Sequence, residues 1–181
     1  INLKRNCNLT LLVGTTKIID LILLNYKNNN YEEIKKCMVD LDLELLNRLK
    51  IDKNDKTVLK ELLFTRGEPE NILKKLKNIY GQNIVLEKLE YLFNILSKIA
   101  TKYNIKLQLD PTYQPHLNLY EGVVFQLICE NNNTRTIIAK GGRYDELVRY
   151  FNPNEKIING IGFTISIDNL RNLITVDSVQ R

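Results

Sequence analysis

The hydrophobic pattern of this chain changes period at Asn104, and no other feature of its 181 residues limits the fold as much. Before that point Ile34, Met38, Leu41, Leu45 and Leu49 recur at three and four, the spacing of one helix face. Val58, Leu59, Leu62 and Leu63 predict a second helix after a turn at Asp52 to Asp55. Gly67-Glu68-Pro69 stops that helix, because proline lacks an amide proton and clashes with the preceding turn. Ile72, Leu73, Leu76 and Ile79 predict a third helix closed by Gly81 as a C-cap. Leu86, Leu89, Phe93, Leu96 and Ala100 predict a fourth, running to about Tyr103. After Asn104, Ile105, Leu107 and Leu109 alternate with Lys106 and Gln108, the period of a strand with one solvated face.

The remaining segments follow the same logic. Leu9 to Val13 reads as a buried strand broken by Gly14, with Thr15 or Thr16 capping a helix over Lys17 to Tyr26. Asn28-Asn29-Asn30 reads as a loop. Val123 to Cys129 and Thr134 to Ala139 form an antiparallel pair across Asn131-Asn132-Asn133. Gly141-Gly142 leads into a short helix from about Tyr144 to Tyr150, and Asn152-Pro153-Asn154 is a loop. Gly160 to Ile167 is a third strand of this part, and Asp168 caps a last helix through about Leu173. Segregated helices and strands predict an α+β fold rather than a parallel doubly wound sheet. The predicted organisation is a helical block at about 31–103 set into a sheet-forming core of 1–26 and 105–175.

Composition excludes whole classes. Hydrophobic residues at 44% and charged residues at 26% are those of a globular chain, not a disordered or collagenous one. The longest apolar run, Ile18 to Leu24, is interrupted by Asp20, so no membrane span is expected. The net charge of +5 permits an acidic or nucleic-acid partner, but Lys74, Lys75 and Lys77 read as a solvated helix face. Cys7, Cys37 and Cys129 are odd in number and lack metal-ligand spacing, and there is a single histidine, His116. No zinc site is expected, and a reducing compartment is the simpler reading of the cysteines. The 23 asparagines, with frequent Ile and Lys, fit an A/T-rich genome such as that of a plastid or a small-genome bacterium. Because residue 1 is Ile rather than Met, a missing N-terminal part is expected.

Chemistry could reside in a few places. Gly141-Gly142-Arg143-Tyr144-Asp145 joins a strand to a helix. Its glycines let backbone pass close to a ligand or to another strand, and Arg143 offers a planar fork to a carboxylate or phosphate. The plainer reading is a tight turn with Arg143 paired to Asp145 or Glu146. Gly160-Ile161-Gly162-Phe163 permits close approach of a planar ligand or of a neighbouring strand. His116 lies in an irregular stretch with two prolines and has no evident acid or base partner. No nucleophile–histidine set and no paired-carboxylate site can be picked out. Asp40, Asp42 and Glu44 read as solvated charge on a helix.

Three segments in order carry a family resemblance: Leu119-Tyr120-Glu121-Gly122-Val123-Val124-Phe125, then Gly141-Gly142-Arg143-Tyr144-Asp145-Glu146-Leu147, then Gly160-Ile161-Gly162-Phe163 running to Asp168-Asn169-Leu170. Together they resemble the C-terminal half of the catalytic fold of the histidyl-tRNA synthetase family, which includes the regulatory paralogue of ATP phosphoribosyltransferase. The resemblance implies a class II synthetase-like antiparallel sheet with flanking helices and a helical insertion. It implies a histidine pocket drawn from Tyr120, Gln126, Gly142, Arg143, Tyr144, Gly160 and Gly162, with no catalytic residue, metal or cofactor. Gln126 stands where the family has glutamate, and Leu119 replaces the first tyrosine of a pair.

Two departures separate the branches of the family. The arginine that stabilises the ATP α-phosphate aligns with Pro115, and the one that grips the γ-phosphate aligns with Asn169, while Arg171 points elsewhere on a helix. Electrostatics of this kind are commonly among the largest catalytic terms, so aminoacylation would be disabled. A synthetase would also continue past Arg181 into an anticodon-binding domain. The resemblance therefore implies a non-catalytic regulatory subunit that assembles with the short-form ATP phosphoribosyltransferase catalytic subunit. Histidine would be its effector, in a hetero-oligomer built on a dimer, in a bacterial cytoplasm or a plastid stroma. The alternatives are a divergent synthetase fragment using ATP and tRNA, and a scaffold that binds nothing small.

Overall fold

The computed structural model describes residues 7–26, 30–115, 119–131, 134–154 and 159–173. Strand β1 (Asn8–Thr15) is followed by α1 (Thr16–Leu23) and a 3-10 turn at Leu24–Tyr26. Five helices come next: α2 (Tyr31–Asp40), α3 (Leu43–Arg48), α4 (Lys53–Leu63), α5 (Pro69–Tyr80) and α6 (Ile84–Tyr103). Then come β2 (Ile105–Leu109), β3 (Val123–Asn131), β4 (Thr134–Arg143), α7 (Asp145–Phe151), β5 (Ile161–Ile165) and α8 (Ile167–Leu173). The strands form one sheet in the order β2-β1-β3-β4-β5. Every pairing is antiparallel except β1 with β2, which is parallel and is joined through the helical block. A crossover that long is what a parallel pair requires.

The helices follow their apolar stripes, and capping residues set their ends. Asn83 accepts hydrogen bonds from the Val85 and Leu86 amides at 3.1 and 3.2 Å and so starts α6. Pro69 opens α5 at a position whose amide would have no helical partner, and Gly81 closes it at φ +70°. The face that reads as one helix from Ile34 to Leu49 is instead two. Leu41 takes the left-handed conformation at φ 55°, and the Asp42 carboxylate then accepts from the Leu45 amide at 2.8 Å. Asp42 is therefore a cap rather than a solvated charge on a helix, and the break is hidden in sequence because leucine occupies a site that favours glycine or asparagine.

The sheet differs from expectation in two further places. Gly14 lies inside β1, with Thr15 as the cap of α1, accepting from the Lys17 amide at 3.3 Å. Gly141 and Gly142 lie inside β4, paired with Phe125 and Val124, rather than in a turn. Asp168 is not the cap of α8. That position belongs to Ser166, whose hydroxyl accepts from the Asn169 amide at 3.4 Å. The loop at Asn28-Asn29 and the hairpin tip at Asn132-Asn133 lie outside the described residues, as does His116.

One core joins the helices to one face of the sheet. Ile18, Ile22, Ile34, Met38, Leu59, Leu62, Leu76 and Leu86 are fully buried with Leu109, and Phe125 packs against them. Each such side chain contributes roughly 1.5–3 kcal/mol through removal of apolar area from water. A smaller cluster of Cys129, Ile138 and Leu173 lies under α8. There Cys7 is joined to Cys129 by a disulfide with a Cα–Cα distance of 5.9 Å, where the cysteine count alone suggests reduced thiols. Their separation of 122 residues hides that pairing. Cys37 is a buried free thiol, its pKa pushed up to about 11 chiefly by burial. No helix among the described residues is long and apolar enough to cross a membrane.

Candidate functional site: a glycine row under three tyrosines

The face of the sheet opposite the helical core carries an unusual row. Strand register aligns Gly14 with Val124, Val124 with Gly142, and Gly142 with Gly162 across β1, β3, β4 and β5. Residues paired in this way present their side-chain positions to one face. An aromatic ring occupies the space left at each glycine. A Cβ on Gly14 would lie 2.5 Å from the Tyr113 carbonyl oxygen and 3.1 Å from its ring. A Cβ on Gly142 would lie 2.7 Å from the Tyr120 ring, and one on Gly162 2.6 Å from the Tyr144 hydroxyl. A Cβ on Gly160 would lie 2.5 Å from Val148 and 2.8 Å from the same Tyr144 ring. These glycines are required by close approach, not by backbone angle.

Local structure places each tyrosine. Asp110 Oδ1 accepts from the Thr112 amide at 2.9 Å and from its hydroxyl at 2.7 Å, an Asx turn that swings Tyr113 over Gly14. Gly122, at φ +100°, turns the chain into β3 and presents Tyr120. Its amide donates to the Thr16 hydroxyl at 2.9 Å, and its carbonyl accepts from the Thr16 amide at 3.0 Å. Arg143 and Asp145 hold the other side. The Arg143 Nε donates to Asp145 Oδ2 at 2.7 Å, and its Nη2 donates to Asn159 Oδ1 at 2.6 Å. Asp145 Oδ1 accepts from the Gly160 amide at 3.0 Å, and the Tyr144 amide donates to the Gly160 carbonyl at 2.8 Å. The Arg143 carbonyl accepts from the Glu121 amide at 2.7 Å. One node thus fixes both Tyr120 and Tyr144. The Arg143 bond holds the Asp145 carboxyl below the usual carboxylate range, and the same bond raises Arg143.

A cleft of about 420 Å³ opens over this face. Tyr113, Tyr120, Gln126, Lys140 and Gly141 line it with the turn residues Asp110, Thr112, Gln114 and Pro115, and Val39 and Leu41 close it from the end of α2. Burial pushes the Tyr113 hydroxyl up to about 12, opposed by the Gln126 amide beside it, so it is a neutral donor at ordinary pH. The Gln114 Oε1 atom is buried without a hydrogen-bond partner among the described residues. The site thus offers flat aromatic surface, neutral hydrogen-bonding groups and few charges.

The structure brings some of the expected residues together and not others. Tyr120 and Gln126 line the cleft, and Gly142 backs Tyr120. Tyr144, Gly160 and Gly162 form the adjoining ring-on-glycine stack. Arg143 is engaged by Asp145 and Asn159, the plainer pairing. Pro115 lies on the cleft wall. The Asn169 side-chain Nδ2 donates to the Ile137 carbonyl at 2.9 Å, tying α8 to β4. Sequence reasoning missed Tyr113 and Lys140. Lys140 could have been found by strand alternation, since it precedes Gly141-Gly142 and faces the same way as Gln126.

The model of the histidyl-tRNA synthetase family matches residues 3–170. The chain belongs to the histidyl-tRNA synthetase family. Within it, the chain is 79% identical over 178 residues to the ATP phosphoribosyltransferase regulatory subunit of Prochlorococcus marinus subsp. pastoris, covering 98% of this chain and 46% of that relative. The chain spans about half the length of the curated relatives it matches. Its fold is that of the crystal structure of an ATP phosphoribosyltransferase regulatory subunit/histidyl-tRNA synthetase from Bacillus halodurans, with a TM-score of 0.75 at 21% identity over 93% of this chain and 45% of that one. The ATP phosphoribosyl transferase (HisG:HisZ) complex from Thermotoga maritima gives 0.59 at 18% identity, over 87% and 53%. The α+β, mostly antiparallel expectation for a family member therefore holds.

Proposed function

We propose that this chain is part of a non-catalytic regulatory subunit of ATP phosphoribosyltransferase, which binds histidine in the cleft and passes feedback inhibition to a short-form catalytic subunit. That subunit opens histidine biosynthesis. What carries this reading is Pro115: it lies on the cleft wall, and the family resemblance aligns it with the arginine that neutralises the ATP α-phosphate. Proline supplies neither charge nor donor, and Asn169 at the second arginine position is tied to the backbone of β4. The 79% identical relative, an ATP phosphoribosyltransferase regulatory subunit, and the HisG:HisZ assembly of Thermotoga maritima support the same partnership. Tyr120, Gln126 and Tyr144, with their glycines, form the histidine pocket, the helical block is an insertion in the synthetase-like core, and the assembly is a hetero-oligomer built on a dimer. Its cyanobacterial relatives favour a bacterial cytoplasm over a plastid stroma.

Histidine must bind one state of the assembly better than the other, with a coupling of roughly 1–3 kcal/mol typical of such effects. The full-length protein is mixed with the short-form catalytic subunit, and phosphoribosyl transfer is followed while histidine is titrated. Activity should depend on the added subunit and fall as histidine rises. If neither changes, the proposal fails. Histidine-dependent ATP–pyrophosphate exchange by the full-length protein alone would instead identify a synthetase.

A further inference from the structure

Two residues along from the glycine row runs a second row on the same face. Register aligns Leu12 with Gln126, Gln126 with Lys140, and Lys140 with Thr164. Lys140 therefore stands beside Gln126 under the cleft, and it is the one cation among the described residues that line it. No carboxylate among the described residues forms a salt bridge with it. The one acid of the lining, Asp110, is 8% exposed and its Oδ1 is held by Thr112. The lining thus separates one positive and one negative charge and adds the unpartnered Gln114 Oε1 acceptor. That dipolar arrangement complements a zwitterion. A triphosphate would need several cations converging on it, and the described lining supplies one.

We propose that Lys140 binds the α-carboxylate of a free amino acid in this cleft, supplying from β4 a positive charge that Pro115, also on the lining, does not supply. The assignment rests on the reading that the cleft holds histidine. It differs from that reading in naming the group that distinguishes an amino acid from its side chain alone. An ammonium–carboxylate contact is a charge-assisted hydrogen bond, and its loss corresponds to a roughly 10- to 100-fold change in affinity.

The test is calorimetric titration of the full-length protein with histidine and with histamine, which keeps the imidazole and the amine but lacks the carboxylate. The unaltered protein should prefer histidine. Lys140→Gln should weaken histidine roughly 10- to 100-fold, leave histamine nearly unchanged, and so erase the preference. Lys140→Arg should restore most of it. Equal weakening of both ligands by Lys140→Gln, or no weakening of either, overturns the assignment while the histidine pocket stands. Failure of the unaltered protein to bind histidine overturns the pocket itself and this assignment with it.

Discussion

The helical block and the cleft face of the sheet are built on opposite principles. Helices α2 to α6 fill space with large apolar side chains: Ile34, Met38, Leu46, Leu59, Leu62, Leu76 and Leu86 are all at 0% exposure. The cleft face instead removes side chains, so that tyrosine rings can lie on bare backbone at Gly14, Gly142 and Gly162. Toward its far end, packing thins further. Helix α7 has no buried residue, and β5 leaves Ile161, Phe163 and Ile165 exposed at 71%, 64% and 47%. Stability is thus concentrated in the helical block, and the cleft face is shaped by small residues that contribute little to the core.

The largest effect that could break this contrast is a core truncation. Leu62→Ala should cost about 2–5 kcal/mol in urea unfolding, whereas Phe163→Ala on β5 should stay within about 0.5 kcal/mol. Comparable costs at both sites would refute the division. Next, Gly14→Ala should cost about 1–3 kcal/mol, because the new methyl group meets the Tyr113 backbone carbonyl, which cannot swing aside. The same experiment at Gly81, where no atom lies within 4 Å of an added Cβ, isolates the cost of its positive φ from that of crowding. Third, Asp42→Ala removes the cap that restarts the helix after Leu41 and should cost about 1 kcal/mol, read as a lowered Tm.

The smallest effect is a pH dependence on the cleft side. Asp145 has its folded-state pKa depressed by Arg143, so its contribution is complete above the unfolded carboxylate pKa and is lost as pH falls through the folded-state value. The stability gap between the unaltered protein and Asp145→Asn should therefore be widest near neutrality and close in acid. A gap that stays constant from neutral pH into strong acid would show that the Arg143 node does not act through charge.

The helical half is the more legible in sequence, for a physical reason. Periods of three and four, with stops at Gly67-Glu68-Pro69 and Gly81, are local signals that packing obeys over α4 to α6. The break at Leu41 escapes such reading because its apolar spacing continues unbroken through it. The strands are legible as elements from their alternation and β-forming residues, but their order and the parallel β1–β2 pair depend on distant contacts that no local period encodes. Glycine is the main source of error at the cleft. Gly14 and Gly141-Gly142 read as turns because glycine usually marks flexible backbone, yet they sit in extended strands where something else needs the room. Tyr120, Gln126 and Tyr144 are reached through the motif, while Tyr113 depends on the Asx turn at Asp110, whose role emerges only when β1 lies beneath it.

Strand β5 also has a practical consequence. Among the described residues it is the last strand of the sheet, and Gly160 to Ile167 carries neither a proline nor a charged residue. An uncharged, β-prone border is a template for intermolecular cross-strand assembly. Preparations of the 181-residue polypeptide by itself should therefore turn turbid on concentration, and a gatekeeper lysine at Thr164 should delay it.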